Sequence, residues 1–367
     1  MGGLPMSTPF FIFPAVRGIQ AGKEYYISMC PLKIIPKIFL FNEEELLPEF
    51  RAQRIINKSR VPAIKSYIVN NPKSYTFSSL TASIDADVEF IPVSNSPEYY
   101  NIGSIKVPMC AKVVINDGQH RRAAIECALK ERPELGDETI SIVFFIDLGL
   151  EKSQQMFSDL NRYAIRPTKS LNVLYDHRDP FSNLIKELIL KVKMFKGLVE
   201  TEKSTLSNRS MKIFTLSGIF NATVELFKDL FDFSHEEKFK LAIHFWNTIS
   251  ENIQEWQQVL KKELAPVDLR KDFINGHTIA LIALGKAGHD LIKSHPTDWK
   301  EILKKLRLIN WRRDNSSVWE GRVTIGGRIS NSRNNITLIT NYIKSVLGLD
   351  LNDDEKTAES NYLVKVV

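Results

Sequence analysis

Cysteine is scarce in this sequence: Cys30, Cys110 and Cys127 are the only three among 367 residues. None stands in a C-x-x-C pair or another spacing that holds a metal or a cluster. An odd, sparse set also makes no disulfide framework, and fits a reducing compartment. Long apolar runs are missing too. No stretch approaches the ~20 residues that a membrane-spanning helix needs. The early "FFIFPAV" is short, broken by Pro14 and not preceded by a basic run, so it does not read as a signal peptide. The expectation is a soluble, cytoplasmic protein. There is no nucleophile elbow and no papain-like cysteine context, which argues against covalent hydrolase chemistry. Internal repeats and low-complexity segments are lacking as well.

What is present is a large hydrophobic share, 43%, and a modest basic excess, net +6. The first suffices for a sizeable core, and the length favours more than one domain. The second is weak evidence for a polyanion partner until its distribution is seen. Between Lys300 and Asp350 ten basic residues face four acidic ones, a surplus equal to that of the whole chain.

Patterning divides the chain. "KEYYISMCPLKIIPKIFLF" and "SYTFSSLTASI" read as strands, "VPAIKSYIVNN" as a helix stopped by Pro72, and "TISIVFFIDLG" as a buried strand. "YNIGSIKVPM" reads as a strand that forms a hairpin with "AKVVIN". Residues 1–175 are therefore expected to form an α+β unit. After Pro180, "FSNLIKELILKVKMF", "IFTLSGIFNATVELFKDLF", "EEKFKLAIHFWNTISENIQEWQQVL", "TIALIALGKAGHDLI" and "NITLITNYIKSVLGL" carry apolar residues at helical spacing. Residues 176–350 are expected to be mostly helical with a basic C-terminal segment, and 351–367 to be a mobile tail.

One junction raises a chemical question. In "KVVINDGQHRRAAIECAL" a strand ends at Asn116, Asp117-Gly118 makes a tight turn, and a helix follows. Asp117 is a candidate cap. Yet His120, Arg121 and Arg122 stand at the helix start, where the dipole disfavours cations. Two readings follow. In one, Gly118, Gln119, His120, Arg121 and Arg122 bind a phosphate at the helix N-terminus. In the other, Arg121 pairs with a buried acid and His120 is a satisfied interior donor. A second constellation is Asn161-Arg162, near the end of a helix carrying Met156, Phe157 and Leu160, followed by Arg166, Pro167, a capping Thr168 and Lys169. Asn161 and Arg162 are candidate ligand contacts. Arg162 alone also suits a helix C-terminus.

Two further groups need weighing. Asp176-His177-Arg178-Asp179 offers metal-ligating types, but adjacent residues on an extended chain point different ways, so capping is the favoured role. The stretch "NWRRDNSSVWEGRVTIGGRISNSRNN" mixes arginine and asparagine with Gly326-Gly327. Arg312, Arg313, Arg322, Arg328 and Arg333, with Arg166 and Lys169, are candidate DNA contacts, since arginine grips phosphate and reads base edges. The competing reading is a solvated loop with Trp311 and Trp319 packed inward.

"INDGQHRRAA", "SRVPAIKSYIVNNPKSYTFSSLTASID", "FSDLNRYAIRPTKSLNVLYDHRDP" and the "WEGRVTIGGRI…LITNYIKSVLGL" end together resemble the DndB proteins of bacterial DNA phosphorothioate modification systems. More distantly, the element order resembles the ParB/sulfiredoxin fold. That implies a ParB-like α/β first domain, with Gly118, His120, Arg121 and Arg122 at a phosphate turn and Asn161 and Arg162 in the second element. The resemblance implies a DNA-binding regulator, a repressor of the modification genes. Its partners would be duplex promoter DNA and other phosphorothioation proteins, and self-association stays open. The alternative is an enzyme: a nucleoside triphosphatase with DNA-nicking activity, using ATP or another nucleotide with magnesium, in which Asp117 or His120 handles water or metal.

Overall fold

The computed structural model describes residues 9–39, 58–146, 155–156, 158–160, 167–230 and 233–366. The chain divides into two compact units, 1–165 and 166–367. The fold is mixed α and β.

The first unit is built on β1 (Phe10–Gln20), β2 (Lys23–Pro31), α1 (Ile35–Ile38), α2 (Val61–Asn70), β3 (Leu80–Asp85), β4 (Glu89–Pro92), β5 (Ile102–Pro108), β6 (Lys112–Asp117), α3 (Gln119–Glu131) and β7 (Thr139–Ile146). Its strands make one seven-stranded sheet in the order β4-β5-β1-β2-β7-β3-β6. All neighbours are antiparallel except β3 and β7, which run parallel. Alternation along β1 and β2 sends Phe13, Ala15, Tyr26 and Cys30 into the core. Ala124, Ile125 and Ala128 of α3 join the same core, and α2 packs on α3.

Two expectations change here. The apolar run after Pro31 does not continue as strand: Leu32–Ile34 is a 3-10 turn and α1 follows. A short apolar run does not distinguish strand from buried helix, and Pro31 ends the ladder. Nor do β5 and β6 form a hairpin. β5 lies between β4 and β1, and β6 pairs with β3.

The second unit is mainly helical. Its longer helices are Pro180–Lys191, Leu216–Leu226, His235–Asn252, Thr278–Ser294 and Arg333–Leu347. The short helix Lys169–Tyr175 precedes them, and Gln254–Leu260, Pro266–Asp272, Trp299–Leu303 and Ser316–Trp319 lie between them. The core includes Phe245, Trp246, Trp256, Trp311 and Trp319. Trp311 and Trp319 stack at 5.6 Å, so the aromatic half of the basic segment is inward. Two-residue strands Thr324–Ile325 and Arg328–Ile329 make a hairpin turning on Gly326-Gly327.

The segment expected as a mobile tail is a helix, Asp353–Val366. It turns Glu355, Ala358, Glu359 and Tyr362 toward the unit, at helical spacing. Glu359 meets Arg322, and Glu355 meets Lys344 at 2.6 Å. Acids stand where a docked helix ordinarily carries apolar residues, which is why periodicity does not reveal it.

Candidate functional site

β6 delivers the Asp117–Arg122 turn to the start of α3. Gly118 occupies the N-cap position with a left-handed backbone, φ +103°, and no side chain caps the helix. Glycine is required there: a Cβ would meet Leu80 Cδ2 at 2.4 Å. Asp117 is therefore not the cap. Its carboxylate instead accepts from Arg121 Nη2 at 2.6 Å. Arg121 Nη1 donates to the carbonyl of Ser78, at 3.1 Å, and to its hydroxyl. Arg122 turns away, donating to the Phe39 carbonyl at 3.0 Å and pairing with Glu126 at 3.2 Å. Gln119 is buried and His120 half-buried, and both are engaged. The acid that Arg121 meets is Asp117 of the turn itself, which is partly exposed rather than buried. Sequence reasoning did not single out Ser78, which lies 43 positions before its partner.

Asn116, the residue before the turn, is fully buried. Its side-chain amide donates to Ser83 Oγ at 2.6 Å and contacts Met156 Sδ at 3.1 Å. Asn116 thus touches the segment that leads to Asn161. Asn161, Arg162 and Arg166 lie outside the described residues. Lys169 is exposed and hydrogen-bonds Asn221, 5.0 Å above the Phe220 ring. Thr168 caps the helix as its type suggests, accepting from the Leu171 amide.

Asp176 and Asp179 are cap residues. Asp176 accepts from the amides of Arg178 and Asp179, and Asp179 from those of Phe181 and Ser182. Those backbone donors, Asp179's first, hold the Asp176 carboxyl below the usual carboxylate range. Among the described residues no group of three or more His, Cys, Asp or Glu is placed to hold a metal.

The basic segment sorts into three sets. Arg322 is withdrawn: it is 6% exposed, donates to the Leu338 carbonyl at 2.7 Å and to Glu359 at 2.9 Å, and lies over the Tyr362 ring. Its guanidinium is turned to the unit's own groups rather than to the surface. Lys344 is likewise buried. Burial pulls its pKa down, but the carboxylates of Asp290 and Glu355 outweigh this and hold it above the usual lysine value.

Arg312 and Arg313 are partly committed. Arg312 pairs with Asp314 at 2.7 Å on the surface, a contact of small net worth. Arg313 donates to the Gly327 carbonyl.

Arg328 and Arg333 form the third set. Both are exposed, and among the described residues neither meets an acid. Arg328 directly follows the Gly326-Gly327 tip, where φ values of +57° and +73° give the twist a two-residue hairpin needs, and Arg333 opens the helix that comes after the hairpin. Glu320, a residue absent from the sequence-based candidates, shapes this tip. Its carboxylate accepts from the Thr324 hydroxyl at 2.8 Å and from the amides of Gly326 and Gly327 at 2.6 and 3.4 Å. The Thr324 hydroxyl first, then the amides, hold the carboxyl below its ordinary range. An acid in a basic stretch is thereby kept as a carboxylate and turned onto the hairpin's own donors.

No helix among the described residues is long and apolar enough to cross a membrane. No curated protein and no solved structure matches the chain. The family model for DndB, described as DNA-sulfur modification-associated, matches residues 13–350. With nearly its full length matched, the chain belongs to the DndB family and with it to DNA sulfur modification.

Proposed function

We propose that this chain is a DNA-binding regulator of a DNA phosphorothioate modification system, a repressor of the modification genes. It grips duplex DNA with the basic surface of its second unit. The observation that carries this is the state of the arginines. Those of the Asp117 turn are spent on internal acids and carbonyls, whereas Arg328, next to the glycine tip, and Arg333, at the start of the helix after the hairpin, stand exposed. Exposed guanidinium groups unclaimed by carboxylates gain most from a phosphate, because binding releases the counterions condensed on DNA. Arg312 adds a third cation whose surface partner exchanges at little cost.

The first unit has a different role in this reading. Its turn fixes β6, α3 and the chain at Ser78 to one another. Likeness to the ParB/sulfiredoxin fold rests on the strand, glycine turn and helix order of β6 and α3. A hydrolytic role needs Asp117 or His120 at a water or a metal, and the Asp117 carboxylate is engaged by Arg121.

The test is retardation of promoter DNA from the modification cluster across a salt series. Phosphate contacts give affinity that falls steeply and linearly on logarithmic axes. Promoter DNA should also outcompete an unrelated duplex. A chain that shows no salt-dependent retention is instead a protein-interaction module.

A further inference from the structure

The geometry points to the C-terminal helix Asp353–Val366 as the element that sets the pose of the Gly326-Gly327 hairpin. The inference rests on the DNA-binding reading above and adds to it a set of positioning residues. They are Glu320, Arg322, Glu359 and Tyr362.

A continuous set of contacts joins the helix to the tip. The Tyr362 hydroxyl donates to the backbone carbonyl of Glu320 at 3.1 Å. The Glu320 carboxylate, in turn, gathers the two glycine amides of the tip. From the other side Arg313 takes the Gly327 carbonyl. The tip backbone is thus held through both its donors and an acceptor, although its glycines have no side chains to hold it.

The root of the hairpin is clamped as well. Asn335 donates to the carbonyls of Gly321 and Arg322, at 3.4 and 2.9 Å. Arg322 lies 4.4 Å from the Tyr362 ring centre and 5.6 Å from that of Tyr342. Glu359 accepts from both Arg322 and Asn341.

The sign of the effect follows from burial. A helix bearing Glu355 and Glu359 near a DNA surface invites the opposite reading, in which it mimics DNA and blocks the surface. Arg322, however, also binds the Leu338 carbonyl and is packed between two rings, and Lys344 is 3% exposed with Asp290 as a second acid. These cations are part of the unit's interior. Removing the helix takes Glu359 and Tyr362 from Arg322 and frees the hairpin root, while Arg322 keeps the Leu338 carbonyl and Lys344 keeps Asp290. The helix therefore supports DNA binding.

The test uses the full chain and two readouts. Tyr362→Phe keeps the ring over Arg322 and deletes only the hydroxyl. Its thermal midpoint should fall by no more than about 2–4 °C, the size expected for one hydrogen bond in a unit of this length. Hydrogen exchange of the peptide covering Gly326 and Gly327 should quicken, with no DNA present. Affinity for a fluorescein-labelled promoter duplex should fall by about tenfold, and the salt slope by about one phosphate contact.

A chain ending at Asn352 should bind DNA more weakly still. If that truncated chain does not fold, Tyr362→Phe decides. Unchanged exchange at the tip, unchanged affinity in the tyrosine variant, or tighter binding by the truncated chain overturns the inference. Wild-type protein that does not retain DNA at all overturns the DNA-binding reading, and the exchange readout still judges the link from helix to tip.

Discussion

Arg121 and Asp117 sit 2.6 Å apart across the first turn of α3, and this pair accounts for one of the cations at the start of that helix. The carboxylate precedes the helix and offsets both the dipole and the guanidinium. Asp117→Asn should therefore destabilise the first unit by about 1 kcal/mol, since the pair is partly exposed. Urea unfolding followed by circular dichroism measures it. A variant as stable as wild type would mean the pair contributes nothing.

Gly118 should tolerate no side chain. Alanine there meets Leu80 at 2.4 Å and forces a left-handed residue. The expected loss is about 2–3 kcal/mol, read from the same unfolding curves.

Glu359→Ala should be among the most damaging changes in the second unit. It leaves the Arg322 guanidinium buried with its carboxylate gone, a loss of about 3–5 kcal/mol. Replacing both partners, as in Arg322→Met with Glu359→Leu, should recover much of that stability. All five tryptophans, Trp246, Trp256, Trp299, Trp311 and Trp319, lie in this unit, so indole fluorescence during denaturation reports it selectively.

Acid should weaken the second unit through His277. Burial pulls the pKa of this ring down to about 4, against the opposing hydrogen bond to the Arg270 carbonyl, and Arg313 and Arg270 lower it further. The unfolded ring titrates near 6.5, so between pH 6.5 and 4 the unfolded state binds more protons. Stability is full above pH 6.5 and falls as pH drops toward 4, by on the order of 3 kcal/mol. His277→Gln should flatten that part of the pH–stability curve. An unchanged slope would show that the ring does not titrate this way.

Much of this was legible in residue patterns, and the gaps have physical causes. The strand, glycine turn and helix at Asp117–Gly118 follow from local chemistry, as do the long helices with apolar spacing. Whether Arg121 meets a guest or a neighbour is not local, because Ser78 lies far away in sequence and Asp117 could equally have capped the helix. Sheet order is also non-local: nothing in β5 and β6 says that β5 lies between β4 and β1 while β6 pairs with β3. The C-terminal helix escaped because its inward stripe is Glu355, Glu359 and Tyr362, polar residues whose partners Lys344 and Arg322 look from sequence like surface cations. A count of basic residues placed Arg322 and Arg328 in one class, and only burial separates them.

That separation sets the decisive measurement. Wild-type protein, Arg328→Ala/Arg333→Ala and Arg121→Ala are compared for promoter-DNA affinity from low to physiological salt. A DNA surface at the hairpin predicts that the double variant loses affinity at all sequences and about two phosphate contacts from the salt slope, while Arg121→Ala binds like wild type. Wild-type affinity in the double variant, with binding lost in Arg121→Ala, would contradict it and return the DNA contact to the turn before α3.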